Sequence, residues 1–181
     1  MKKLLVSIML LWIGSFAAAQ EASPDQPLPA GEPPMTMPRL AEIILSIDPE
    51  AQARGPSIEF TVQDIPVIVI ADARADRMRA MVPIRAADGL DPAELMRLMQ
   101  ANFDSALDAR YAVARGRLWG VFIHPLSPLE RDQFLSGLAQ TVNVARTYGQ
   151  TYSGGVNIFG GGDSNGIYEE LFEELRKGQE L

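Results

Sequence analysis

The stretch Asp91-Pro92-Ala93-Glu94-Leu95-Met96-Arg97-Leu98-Met99-Gln100-Ala101-Asn102-Phe103 is the clearest helix in the sequence, and the rest of the chain can be ordered from it. Asp91 can accept from the free amide of Glu94, and Glu94 is spaced to reach back to the amide of Asp91. Pro92 falls at the first helical position, where the missing N–H leaves nothing unsatisfied. At about 100° per residue, Leu95, Met96, Leu98, Met99 and Phe103 share an arc of roughly 160°. One broad buried face is therefore expected, with the helix as the packing hub between the strands before and after it. Asn102 falls inside that arc, where an unbonded amide costs about 1 to 3 kcal/mol, so it is expected to fix the loop from Phe103 to Ala109.

Working toward the N-terminus, Arg77 to Ile84 alternates through Met78, Ala80, Val82 and Ile84, which predicts a strand, and Pro83 places it at a sheet edge. Ile58, Phe60 and Val62 alternate with polar residues, and Asp64-Ile65-Pro66 is expected to turn this strand into a second one, Val67 to Ile70. Leu40, Ile43, Ile44 and Ile47 have helical spacing and end at Asp48-Pro49, predicting a first helix over 38–47. Residues 20–38 hold six prolines and read as an extended linker.

The first 19 residues have the form of a secretory signal: Lys2 and Lys3, a 13-residue apolar run from Leu4 to Phe16, then Ala17-Ala18-Ala19. Cleavage is expected after Ala19, giving a periplasmic or secreted protein. The apolar run is shorter than the roughly 20 residues that span a bilayer, so no stable membrane span is expected after cleavage. Loss of the two lysines leaves 14 basic against 23 acidic residues, a net charge of −9. That balance argues against nucleic-acid binding, which needs a basic footprint.

Working toward the C-terminus, Arg110 to Ala114 and Arg117 to Ile123 predict a hairpin turning at Arg115-Gly116. Ser127-Pro128-Leu129-Glu130 repeats the capping pattern, and Phe134, Leu135, Leu138, Val142 and Ala145 predict a helix over 128–147. Seven glycines between Gly149 and Gly166 read as a linker. Tyr168, Leu171, Phe172 and Leu175, opposed by four glutamates, predict a short acidic amphipathic helix from residue 167. The expected class is α+β: helices on an antiparallel or mixed sheet in the order α-β-β-β-α-β-β-α, over residues 39–148, with the acidic helix and tail at 167–181.

Several runs resemble one family. They are Leu95-Met96-Arg97-Leu98-Met99-Gln100-Ala101-Asn102, Ala106-Leu107-Asp108-Ala109-Arg110-Tyr111, Gly116-Arg117-Leu118-Trp119, and Pro125-Leu126 before the last domain helix. With the strand order, they resemble the YbjN-type branch of the type III secretion chaperone-like fold, described as bacterial sensory transduction regulators. The resemblance implies a non-enzymatic domain, often a homodimer, that holds a partner polypeptide. It carries over no catalytic residues.

With no cysteine and one histidine, His124, thiolate sites and His-pair metal sites are excluded. Gly162-Asp163-Ser164-Asn165-Gly166 lacks the downstream glutamate of a calcium loop, and no cofactor is expected. Arg77, Arg79, Arg115 and Arg117 read as a solvated face, or more sharply as an acceptor for the acidic helix. Val67 to Ile70 and Leu118 to Ile123 are apolar on both faces of their strands, although helices on one side of a sheet cover only one face. The expected interaction surface is therefore the sheet face carrying Trp119, Val121 and Ile123. The helix bearing Tyr168, Leu171, Phe172 and Leu175 is expected to dock conditionally, and Asp91, Glu94, Asn102 and Ser127 to be structural. The function expected is an exported protein-binding module, chaperone-like or regulatory. The alternative is a small-molecule or lipid sensor with an apolar pocket between sheet and helices.

Overall fold

The first described side chain to enter the core is Met35, which is 2% exposed and donates its amide to Ser127 O at 3.0 Å. The computed structural model describes residues 31–149 and 164–177. The expected signal and its expected cleavage point, most of the proline-rich stretch and most of the glycine-rich stretch lie outside them. Where the proline-rich stretch is described, it belongs to the fold. Glu32 pairs with Arg39 and accepts from the Arg131 amide at 3.0 Å, so its carboxylate sits on the positive end of a helix.

Helix α1 (Met37–Ile47) is capped by Thr36 and buries Leu40, Ile43 and Ile44. The sheet follows: β1 (Gln52–Arg54), β2 (Ser57–Val62), β3 (Ile65–Asp72) and β4 (Arg77–Ala86), then helix α2 (Pro92–Asp104), then β5 (Arg110–Ala114) and β6 (Arg117–Pro125). Helices α3 (Arg131–Arg146) and α4 (Ser164–Lys177) complete the described chain. The protein is α+β, with four helices and one antiparallel sheet of six strands in the order β1-β2-β3-β4-β6-β5 among the described residues. The three-residue strand β1 was not legible in the sequence because all of it is exposed and it has no alternation to read.

Tight turns follow from residues at positive φ. Arg115 and Gly116 (φ 52° and 68°) join β5 to β6 as expected, while Gln63 and Asp64 (φ 48° and 64°) make the β2–β3 turn. Pro66 is not part of that turn; it lies within β3, opposite Thr61. Pro83 does not mark an edge either. Strand β4 is central, between β3 and β6, and the proline is tolerated because the pairing shifts register between Pro83 and Arg85.

Alternation divides the sheet cleanly. Ile58, Phe60, Val62, Val67, Val69, Met78, Ala80, Val82 and Phe122 point to the helix side and join Leu40, Ile44, Phe134, Leu135 and Leu138 in the main core. Helix α3 is the hub: from Phe134 to Val144 every residue but Ser136 is buried. Gly137 lets it approach, since a Cβ there would lie 2.5 Å from the Phe122 ring. Its cap differs from the expected one: Glu130 is the cap residue, and its amide donates to Gln133 Oε1 at 3.0 Å. Ser127 instead donates its amide and its hydroxyl to Asp76 at 2.7 and 2.9 Å, tying the α3 approach to the β3–β4 turn.

Helix α2 departs most from expectation. Its cap is in place, with the Glu94 amide donating to Asp91 Oδ1 at 2.7 Å, while the Glu94 carboxylate accepts from the Tyr148 hydroxyl. Its broad apolar arc is not buried. Only Leu98 and Ala101 reach a second, smaller core with Tyr111, Leu118 and Val144, whereas Met96, Met99 and Phe103 are 61%, 54% and 79% exposed. The cause is position. Helix α2 packs at the β5 end of the sheet, where one line of contact is offered, so it is peripheral rather than a hub between two strand groups.

Helix α4 begins at Ser164, three residues before the expected start, and packs against α3 on the helix side of the sheet. Leu171 and Leu175 are 1% and 8% exposed in the main core, and Phe172 packs against it half-buried. These residues are therefore seated in the fold, not presented outward. The side chain of Tyr168 lies outside the described ones.

Candidate functional site: the open face of the sheet

All helices that pack on the sheet do so from one side, so the outward-pointing residues of every strand share the other. The register puts Ile68 opposite Met81 and Met81 opposite Val121, then Ile70 opposite Arg79 and Arg79 opposite Ile123. Trp119 lies between Pro83 on β4 and Ala112 on β5. These cross-strand rows form an apolar surface over β3, β4 and β6. Ile123 is 53% exposed and Ile70 37%, while Trp119, Val121, Ile68 and Met81 are half-buried by one another. Trp119, Val121 and Ile123 thus fall on one surface, and β3 and β4 add residues that the sequence did not assign to it. The β4–β6 pairing that joins them is long-range; the only local trace was apolar residues on both faces of β3 and β6.

Polar groups on this face are orderly. Trp119 Nε1 donates to Ala114 O at 3.0 Å, and the Arg117 guanidinium lies 6.0 Å from the indole centroid. Arg77 and Arg79 on β4 and Arg110 on β5 point outward and are exposed. A depression of about 410 Å³ lies between Ile70, Asp72, Arg77, Arg79 and Ile123. Arg115 sits apart, in the turn. Because α4 packs on the opposite side, these arginines do not receive it.

Side chains pair with backbone groups near both ends of the sheet. At one end, Asn102 Oδ1 accepts from the Tyr111 amide at 2.6 Å and Asn102 Nδ2 donates to Tyr111 O at 3.1 Å, so its carboxamide occupies the place of a further strand. Asn102 therefore holds a strand edge, not the loop. The loop before β5 is held by buried Gln140, whose Oε1 accepts from the Asp108 and Ala109 amides at 2.7 and 3.2 Å. At the other end, where β1 stops short, the amide and hydroxyl of Thr61 donate to Asp48 Oδ2 at 2.8 and 3.0 Å. The amide bonds from Thr61 and Glu50 hold the Asp48 carboxyl below its usual range. Asp76 and Glu32 are likewise lowered, chiefly by the amides of Ser127 and Arg131.

The His124 ring stacks on Phe122 with centroids 5.9 Å apart, and its Nδ1 lies 2.7 Å from Pro125 O. Among the described residues no cluster of His, Asp or Glu has the arrangement to hold a metal ion, and no helix is long and apolar enough to cross a membrane. No protein-family model matches this sequence, and no curated protein is found to be similar to it.

Proposed function

We propose that this chain is an exported, non-enzymatic binding module of the chaperone-like or regulatory kind, built on a YbjN-type, type III secretion chaperone-like fold, and that its partner is a polypeptide docking on the open sheet face. The observation carrying this reading is the continuous row Ile68–Met81–Val121, flanked by Ile70, Ile123 and Trp119, with no described element of the chain above it. An apolar surface that crosses three strands is a mark of an interaction site. At Tyr111 and Thr61 the backbone groups that an added strand would use already bond Asn102 and Asp48, whereas the face is uncovered by any described element.

A sensor reading requires room between sheet and helices. Between β6 and α3 that layer is close-packed, with Phe122, Phe134, Leu135 and Leu138 at most 5% exposed, and the depression of about 210 Å³ between β2, α1 and α4 is lined by Ser46, Thr61, Gln63 and Glu174 as well as Leu171.

The test is a photoreactive amino acid at position 123 of the full chain in living cells, with position 42 on α1 as control. A discrete protein adduct from position 123 alone, lost on Trp119→Ala, is expected. Lipid adducts, or equal adducts from both positions, would overturn the reading.

A further inference from the structure

The charge on the open face runs against that of the chain. The protein carries a net charge of −7, yet the outward positions of β4, β5 and β6 hold Arg77, Arg79, Arg110 and Arg117 and no acidic residue. Asp72 lies across from Arg77, Asp108 and Asp132 flank Arg110 at the margin, and the acidic positions Glu59, Asp48 and Glu50 gather at the far, β1–β2 end, where Arg54 already pairs with Glu59 at 3.4 Å. The apolar rows are thus bordered by cations on one half of the sheet.

Arginines around an apolar strip select an occupant that is apolar on one side and anionic at its margins. Apolar contact supplies affinity, and opposite charge supplies orientation and rejection of basic competitors. We propose that the occupant of the β3–β4–β6 part of the face is an acidic amphipathic polypeptide segment, its apolar side chains on Ile70, Met81, Val121 and Ile123 and its carboxylates on Arg77, Arg79 and Arg117. This rests on the reading of the sheet face as the partner site, and adds the partner's chemistry.

The experiment uses the full chain and three 15-residue amphipathic peptides with leucine at the same helical spacing, the remaining positions being all glutamate, all glutamine or all lysine. Binding is followed by isoleucine methyl NMR, with Ile70 and Ile123 reporting the open face and Ile43 and Ile44 the core. The glutamate peptide is expected to shift Ile70 and Ile123 and to bind about tenfold more tightly than the glutamine peptide at low salt, with the difference shrinking as screening rises. Arg77→Gln with Arg79→Gln should remove that preference while the Ile43 and Ile44 signals stay unchanged, which also verifies folding. Equal binding of all three peptides at Ile70 and Ile123 overturns the acidic partner and leaves the sheet-face reading standing. No shift there with any peptide sinks both. Vesicles containing phosphatidylglycerol that shift these methyls when the glutamate peptide does not would make the ligand an anionic membrane surface and overturn the proposal.

Discussion

The carboxamide of Asn102 is paired with the backbone of Tyr111 in both directions, accepting from its N–H at 2.6 Å and donating to its C=O at 3.1 Å. A helix side chain thereby finishes a sheet. The Tyr111 hydroxyl donates to Val144 O at 2.7 Å, so the same residue ties β5 to α3. Asn102→Ala removes both bonds and should cost about 1 to 3 kcal/mol in chemical denaturation. Amide exchange at Tyr111 should accelerate beyond that at Phe122, and the bared edge should promote aggregation. Asn102→Asp, which keeps the acceptor, should fall between. Unchanged exchange at Tyr111 in the alanine variant would show that the edge is held by something else.

Close approach of α3 to the sheet depends on Gly137. A Cβ placed there meets the Phe122 ring at 2.5 Å, and one at Gly120 meets Thr141 O at 3.0 Å. Gly137→Ala should destabilise by about 1 to 3 kcal/mol through overpacking. Phe122→Leu, itself destabilising, should make the alanine less costly, and a double-mutant cycle measures that coupling. Additive effects would mean that the two sites do not touch.

Exposure on α2 has a measurable counterpart. Phe103→Ser and Met96→Ser should each change unfolding free energy by no more than about 0.5 kcal/mol, since neither side chain is buried. Leu98→Ala on the same helix should cost about 2 to 5 kcal/mol. If Phe103→Ser proves as costly as Leu98→Ala, that face is covered in solution.

Helix α4 belongs to the core. Leu171, at 1% exposure, packs in the same cluster as Leu40 and Leu138, and Leu171→Ala should lower stability by about 2 to 5 kcal/mol. A shift in the thermal midpoint of the whole domain checks it. If only the α4 amides lose protection while the rest keeps its midpoint, the helix undocks as a separate unit.

Acid should loosen the molecule at three carboxylates. Asp48, Asp76 and Glu32 are held below their ordinary values of 3.8, 3.8 and 4.5 by amides that donate to the charged form. Their contribution is present above those ordinary values and is lost as pH falls through the lowered ones. Stability should therefore be flat above about pH 5 and decline below about pH 4. Asp48→Asn and Asp76→Asn should each flatten that decline, read by denaturation across pH 2 to 7; a decline of the same slope in both variants would place its origin elsewhere.

The sequence by itself determined the class and its local pieces. Alternation in β2 and β4 and helical spacing in α1 and α3 have periods that declare the inward face without knowledge of neighbours. The Asp91 cap of α2 and the Arg115-Gly116 turn are equally local. Tertiary structure alone decided what each apolar surface meets. Helix α2 has a clear apolar arc, yet its place at the β5 end leaves Met96, Met99 and Phe103 exposed, because burial depends on what stands opposite. The reverse holds for α4, whose leucines fill the core. The open face shows the same limit: Trp119, Val121 and Ile123 were legible along one strand, but Ile68, Ile70 and Met81 join them only because β4 pairs with β6 across α2 and β5. Such pairing is fixed by the packing of the whole sheet against α3, and no window of sequence contains it.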